Sequence, residues 1–507
     1  MTGWVKLVWL FQMENDENLS EFLNDPKGVL IAPAGLGKTY SIAQMISLVE
    51  AEKPQLILTH THAGIASLKK KFREQGIPSK KYTIETICGF LQRYVLTLCK
   101  RTEVPNQEDK NFFQQIVKIA EHLFSKPAVM RVVTQSYSHL YVDEYQDCTL
   151  DQHKIIMLMS EELPTHLLGD PLQGIFDFAQ PIVDFEKDLL SFKHYDFLQI
   201  PWRWKNAGKE TLGELILDMR QSLLNNRSAN LVTNKEAGYF IHNVQIQQRQ
   251  EFFLQMLGPF LNVLSQRSNS ILVIFPSYID CKGIPRGTVS DRCSAKPQID
   301  VLNEFTLIEA IDDTSYYKCA KSLDYLLENL PRARKPYKRL SDILDDLSFK
   351  NSDITDWISD KRVKVKRDNT KKVKAEALSN VVSSIIKCPS YRTLIELFTM
   401  IKSDLRWKAK RADIFSSVFR CLKMANENAT SVLEEMKKHK NRIRQVGRRI
   451  EGHCIGTTLL TKGLEFDTVV LIEADKMKSS KDFYVAISRA CKEVHIFTTS
   501  STLHFDK

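Results

Sequence analysis

Between residues 28 and 200, short apolar runs alternate with segments whose apolar residues recur every three or four positions. Gly28-Val29-Leu30-Ile31-Ala32 predicts a buried strand, and Ile42, Met45, Ile46 and Val49 predict a helix behind it. Leu56-Ile57-Leu58-Thr59 predicts a second strand, followed by a helix through Lys69-Lys70-Lys71. His139 to Glu144 and His166 to Asp170 predict strands that end in carboxylates. Such alternation predicts parallel βαβ units, whose ligands gather at the carboxyl ends of the strands. From about 205 to 270 the pattern is helical, and Ser270 to Phe275 predicts one more strand. Residues 300–448 read as mostly helical and highly charged, and the last 55 residues return to α/β with Thr468 to Ile472 as a core strand. A helical block inside a resumed α/β domain predicts an insertion. No repeat of fixed period is present.

The 507 residues, 43% of them hydrophobic, allow about three or four domains at roughly 100–200 residues each. Nineteen glycines and 17 prolines exclude a collagen-like or low-complexity chain. A net charge of +10 favours a polyanionic partner only mildly at this length. No apolar run approaches the roughly 20 residues of a membrane-spanning helix, so no membrane partner is expected. The apolar opening, Trp4 to Phe11, lacks a small-residue cleavage site and runs into Glu14-Asn15-Asp16-Glu17, which argues against a secretory signal. Whether it is native or an upstream extension before Met13 stays open. The ten cysteines are scattered without a CxxC pair, as reduced structural thiols would be, and a cytoplasmic location is expected.

Chemistry enters at Ala32-Pro33-Ala34-Gly35-Leu36-Gly37-Lys38-Thr39, a phosphate loop between a predicted strand and a predicted helix. Its glycines let backbone N–H groups approach phosphate, Lys38 would reach the β- and γ-phosphates, and Thr39 would ligate Mg²⁺. Ala34, Leu36 and Tyr40 complete this nucleotide-binding segment. Further on, Val142-Asp143-Glu144-Tyr145-Gln146-Asp147 sets two adjacent carboxylates at a strand end, a costly pair without a cation. The economical reading puts Asp143 on Mg²⁺ and makes Glu144 the base that deprotonates the attacking water. Arg203 and Arg489 are candidate arginine fingers, which contribute about 10³–10⁵ in rate where present.

Taken in order, APAGLGKT (32–39), VDEYQDCT (142–149), LLGDPLQGIFDF (167–178), TKGLEFD (461–467) and FYVAISRA (483–490) resemble the motifs of a UvrD/Rep-type superfamily 1A DNA helicase. The resemblance implies an α/β fold of two RecA-like parallel-sheet lobes with mainly helical insertions. It divides the chain into lobe 1A (1–89 and 132–196), a short insertion 1B (90–131), lobe 2A (197–300 and 450–507) and a basic insertion 2B (301–449). Residue by residue, it implies that Gln173 senses the γ-phosphate, Trp202 stacks on the base, and Arg203 and Arg489 are the two fingers. Gly463 and Glu465 would contact phosphate and ribose from the second lobe. ATP with Mg²⁺ would lie between the lobes. The DNA track would use Thr59, His60 and His62, then Thr83, the stacking residues Phe176 and Phe178, and Thr457. The phenylalanines also read as ordinary core, and Lys69, Lys70 and Lys71 as a solvated helix face.

The chain departs from the family pattern in places. His60 stands where a phenylalanine is usual, Glu85 where a histidine is usual, and Leu459 replaces the histidine of the fifth motif. No clear glutamine motif precedes the phosphate loop, so a relaxed nucleotide preference is expected. Residues 361–374 carry eight Lys/Arg and one acid, interleaved with valines. They read as a linker, a duplex contact or a dock for an acidic partner. About 17 residues follow Ser488-Arg489-Ala490, so no C-terminal nuclease domain is expected. Compactness and the 455–465 string also look similar to the helicase component of Gabija-type anti-phage systems, which implies an OLD-family nuclease partner. The leading expectation is an ATP-dependent 3′→5′ helicase or single-strand translocase on single-stranded or tailed duplex DNA, in repair or anti-phage defence. The alternative is a DNA-activated ATPase that senses ends or single strands and regulates a partner nuclease.

Overall fold

The computed structural model describes residues 17–506 apart from 108, 110, 176–179, 245–247, 301, 303, 309–313 and 447–449. The first sheet comprises β1 (Lys27–Ile31), β2 (Gln55–Thr59), β3 (Tyr82–Thr86), β4 (Leu140–Val142), β5 (Thr165–Gly169) and β6 (Lys193–Tyr195), in the order β3-β2-β4-β5-β1-β6. Every neighbouring pair is parallel. Val29, Leu30, Ile57, Leu140, Val142, Leu167 and Leu168 are fully buried. Helices cover both faces of such a sheet, which is why its strands read as continuous apolar runs rather than alternating ones. Each buried aliphatic side chain contributes about 1.5–3 kcal/mol. The register pairs Ile31 with Gly169, so the loops leaving β1 and β5 rise side by side.

Among the described residues ten further strands follow: β7 (Ser228–Asn230), β8 (Tyr239–Asn243), β9 (Ile271–Ile274), β10 (Tyr278–Ile279), β11 (Pro285–Arg286), β12 (Thr306–Leu307), β13 (His453–Gly456), β14 (Phe466–Leu471), β15 (Ala490–Thr498) and β16 (Thr502–His504). Six of them form a second all-parallel sheet, ordered β12-β13-β9-β14-β15-β8. The fold class is α/β with two six-stranded parallel sheets, consistent with two RecA-like lobes. The stretch expected to be helical from 205 to 270 contains the helix Glu210–Asn226 but also β7 and β8. In β8, an edge strand, only Tyr239 is fully buried, so the run lacks the apolar signature of a central strand.

The chain divides into two compact units: one made of residues up to Pro105, Phe113–Glu309 and Arg444–Lys507, the other of Asn106–Phe112 and Ala310–Ile443. Both sheets belong to the first. The second packs Ser315–Asn329, Asn369–Lys387, Tyr391–Ser403 and Ala412–Asn428 around Leu323, Leu378, Val382, Leu397, Phe398 and Val418. Its basic stretch, 361–374, is a short turn that runs into the helix Asn369–Lys387. Val363 is buried and bridges Ile358, Lys366 pairs with Asp356 at 2.9 Å, and Asp368 caps the helix that begins at Asn369. Lys361, Arg362, Lys364, Arg367, Lys371 and Lys372 stay exposed.

Candidate nucleotide site

The phosphate loop follows β1 directly. Gly35 and Gly37 have φ of 77° and 95°, the left-handed region in which an L side chain is strained. Space is short as well: a Cβ on Gly35 would lie 2.6 Å from the Trp204 ring, a clash, and one on Gly37 3.1 Å from Trp202, a tight contact. The helix Lys38–Leu48 starts where this turn ends, so its unpaired N–H groups face the loop. Lys38 is buried and folds back to donate to Ala32 O (2.7 Å) and Pro33 O (3.3 Å). Burial lowers its pKa, against the opposing charges of Glu144, Asp170 and Asp143.

Asp143 and Glu144 follow β4, with Glu144 in the left-handed region at φ 57°. Burial and the adjacent Glu144 charge push the Asp143 carboxyl up. Burial acts the same way on Glu144, but the Lys462 and Lys38 ammonium groups outweigh it and keep that carboxyl low. Gln146 donates through its amide nitrogen to Glu144, while its amide oxygen accepts from the Asp170 N–H at 3.0 Å. Gln173 donates to Asp170 Oδ2 (3.0 Å) and accepts from Arg489 Nη2 (3.1 Å). It thus links the end of β5 to the helix Ser480–Ile487, which leads into Arg489.

A cavity of about 760 Å³ opens over this surface. It is lined by Ala34, Gly35, Leu36, Gly37, Lys38, Thr39 and Tyr40 from the phosphate loop, and by Asp143, Glu144 and Gln173. Its remaining wall includes Trp202, Arg203, Gly463, Glu465 and Arg489. The nucleotide and catalytic positions picked out in the sequence therefore share one cavity. Arg203 donates to Glu465 (2.7 Å) and to the Ser488 carbonyl. Arg489 is buried, and burial together with the Arg203 charge lowers it to about 10. The donor set suits a hard cation: Thr39 offers a hydroxyl, and the buried Asp143 offers a carboxylate that the Glu144 N–H holds at 3.0 Å.

Several contributors carry no role in the sequence reading. Tyr484 Oη accepts from the Ala34 N–H (3.0 Å), and the fully buried Trp204 donates from Nε1 to Ala490 O (2.8 Å). Arg220 pairs with Asp170 at 2.8 Å. Lys462 pairs with Asp147 and donates to the Gln173 carbonyl. Tyr484, Asp147 and Lys462 all lie inside the motifs quoted from the sequence, so position was a signal, but nothing local reveals their partners.

The positions expected along a DNA track fall on several elements. Thr59 is buried at the end of β2, Thr83 is half-buried in β3, and Thr457 is buried before the turn Thr458–Thr461. His60 Nε2 lies 3.3 Å from Cys148 Sγ, and His62 begins the helix His62–Glu74. Phe176 and Phe178 lie outside the described residues. Glu85, the acid at a usual histidine position, is paired with Arg93 at 2.7 Å. Lys70 and Lys71 line the nucleotide cavity.

A family model described as an AAA domain matches residues 15–179, the segment that holds the phosphate loop and the acidic strand end. A helicase/nuclease component of Syntrophomonas wolfei subsp. wolfei (strain DSM 2245B / Goettingen), described as ATP-dependent, is 35% identical over 77 residues, 15% of this chain and 6% of that protein. The chain thus matches a small part of that relative's length. Both likenesses support the resemblance to UvrD/Rep-type helicases.

Proposed function

We propose that the chain is an ATP-dependent DNA helicase or single-strand DNA translocase, moving 3′→5′ on single-stranded or tailed duplex DNA. The observation that supports it best is a single cavity bounded by a phosphate loop, the Asp143–Glu144 carboxylate pair and two guanidinium groups. In this reading Lys38 leaves the Ala32 and Pro33 carbonyls for the β- and γ-phosphates of ATP. Glu144 takes a proton from the attacking water as the bond between the γ-phosphorus and the bridging oxygen breaks. Arg203 and Arg489 compensate the charge that develops on the transferred phosphoryl group. A bound Mg²⁺, held by Thr39 and Asp143, would supply further positive charge there. Arg203 exchanges Glu465 and the Ser488 carbonyl for phosphate, and Gln173 carries the change between Asp170 and Arg489. A relaxed preference among nucleoside triphosphates belongs to the same proposal.

One observation favours a second reading, a DNA-activated ATPase that regulates a nuclease partner of the OLD family, as in Gabija-type defence. Glu85 and His60, two track positions, face Arg93 and Cys148. Strand displacement on tailed duplexes, assayed beside DNA-stimulated ATP hydrolysis, separates the two. Displacement by the isolated chain supports the motor; stimulated hydrolysis without displacement supports the regulator. Absence of any nucleotide hydrolysis would end both.

A further inference from the structure

Lys462 carries a buried ammonium from the second lobe into the first, and the hydrolysis steps leave it without a role. It is 3% exposed and follows the turn Thr458–Thr461, two residues before Leu464 and three before Glu465. Its Nζ donates to Asp147 Oδ2 and to the Gln173 carbonyl. Those acceptors end two separate turns, Tyr145–Asp147 after β4 and Pro171–Gln173 after β5. The first turn starts at Glu144, whose left-handed φ of 57° depends on its surroundings to hold it. The second ends on Gln173, the residue that contacts Arg489. A small cavity of about 30 Å³ beside Lys462 is bounded by Thr39, Asp143, Glu144, Asp147 and Gly463.

We propose that Lys462 is a positioning residue for nucleotide hydrolysis: docking of the second lobe inserts its ammonium between the two turns, and this fixes Glu144 and Gln173 for the reaction. The inference rests on the proposed ATPase function and names the contact through which lobe closure reaches the base. A buried ammonium without its carboxylate is costly, so the pair forms only when the lobes meet and is lost when they part. His60 feels the Lys462 charge as well, so a track position lies near the same contact.

The test is single-strand-stimulated ATP hydrolysis by the full chain bearing Lys462→Met, Asp147→Asn, both together, or Lys462→Arg. A fluorescent ADP analogue reports nucleotide binding. A misplaced base should lower kcat about 100-fold in Lys462→Met. KM and analogue binding should stay within about threefold, because the phosphate loop is untouched. The double variant should be no slower than either single variant, as two members of one contact require, and Lys462→Arg should regain part of the loss. If Lys462→Met alone does not fold, the double variant decides, because it leaves no unpaired buried charge. Turnover by the double variant within about threefold of the unmodified chain, or losses that simply add, would overturn the proposal and leave the ATPase reading standing. No hydrolysis by the unmodified chain would remove both.

Discussion

The two parallel sheets use the same local device to opposite ends. In each, a buried strand runs out into a glutamate in the left-handed region, Glu144 at φ 57° and Glu473 at φ 49°, and a short 3₁₀ turn follows. Glu144 opens on a cavity beside Lys38. Glu473 instead receives Arg249 through Nε (2.8 Å) and Nη2 (3.0 Å). Arg249 also donates to Asp291 (2.5 Å), which Arg286 approaches at 3.1 Å, and its guanidinium lies 4.9 Å from the Phe253 ring centre. The position beyond the second sheet is filled by paired charge. A carboxylate at the end of a parallel strand is therefore not in itself a site. What separates the two is the glycine loop after β1, which leaves room for phosphate next to a lysine.

Removing the lysine tests the contrast most severely. Lys38→Ala should lower ATP turnover by at least about 10³, measured as phosphate release, since it strips the phosphate contact and part of the charge stabilisation. Glu144→Gln should keep nucleotide binding and slow turnover by about 10²–10⁴, the ordinary contribution of a general base. Comparable turnover by that variant would place the base elsewhere and undo the comparison.

Glu473→Gln is the matched change in the other sheet. It should leave turnover within about threefold while destabilising the fold by about 3 kcal/mol, read from denaturant unfolding, because Arg249 loses a buried partner. A collapse of turnover with stability unchanged would mean that the second strand end also serves chemistry. Tyr484→Phe is gentler. It leaves the Ala34 N–H without an acceptor, at a cost of about 1–3 kcal/mol, and should appear as weaker ATP binding in titration calorimetry.

The smallest effect is a pH dependence. Burial alone would raise the Asp291 carboxyl, but bonds from Arg249 and the Gly287 N–H outweigh it and hold it below the usual carboxylate range. A carboxyl lowered in the folded state stabilises above its unfolded value and loses that contribution as pH falls through the folded one. Thermal stability of the unmodified chain should therefore drop on acidification below about pH 4. Asp291→Asn should flatten that part of the curve.

Continuous apolar runs such as Val29 to Ile31 and Leu167 to Leu168 were legible because both faces of the strand are covered. Edge strand β8 was not, since only Tyr239 of it is fully buried, and the two-residue β12 is too short to leave a pattern. The phosphate loop was legible for a comparable reason: glycine spacing is a local demand of backbone geometry. The same reasoning missed Trp204, although its ring excludes a Cβ from Gly35, because that contact depends on where the chain returns.

By itself the sequence marked candidates for handling a triphosphate: the glycines of the loop, Lys38 and the carboxylate pair by short-range order along the chain, and the two arginines by the resemblance of their motifs. Only the tertiary structure decided their partners. Tyr484 meets Ala34 across 450 positions, Arg489 meets Gln173 across 316, and Lys462 meets Asp147 across 315. Backbone turns are set by neighbouring residues. A buried charge is set by whichever opposite charge the fold brings to it, and no local pattern encodes that choice.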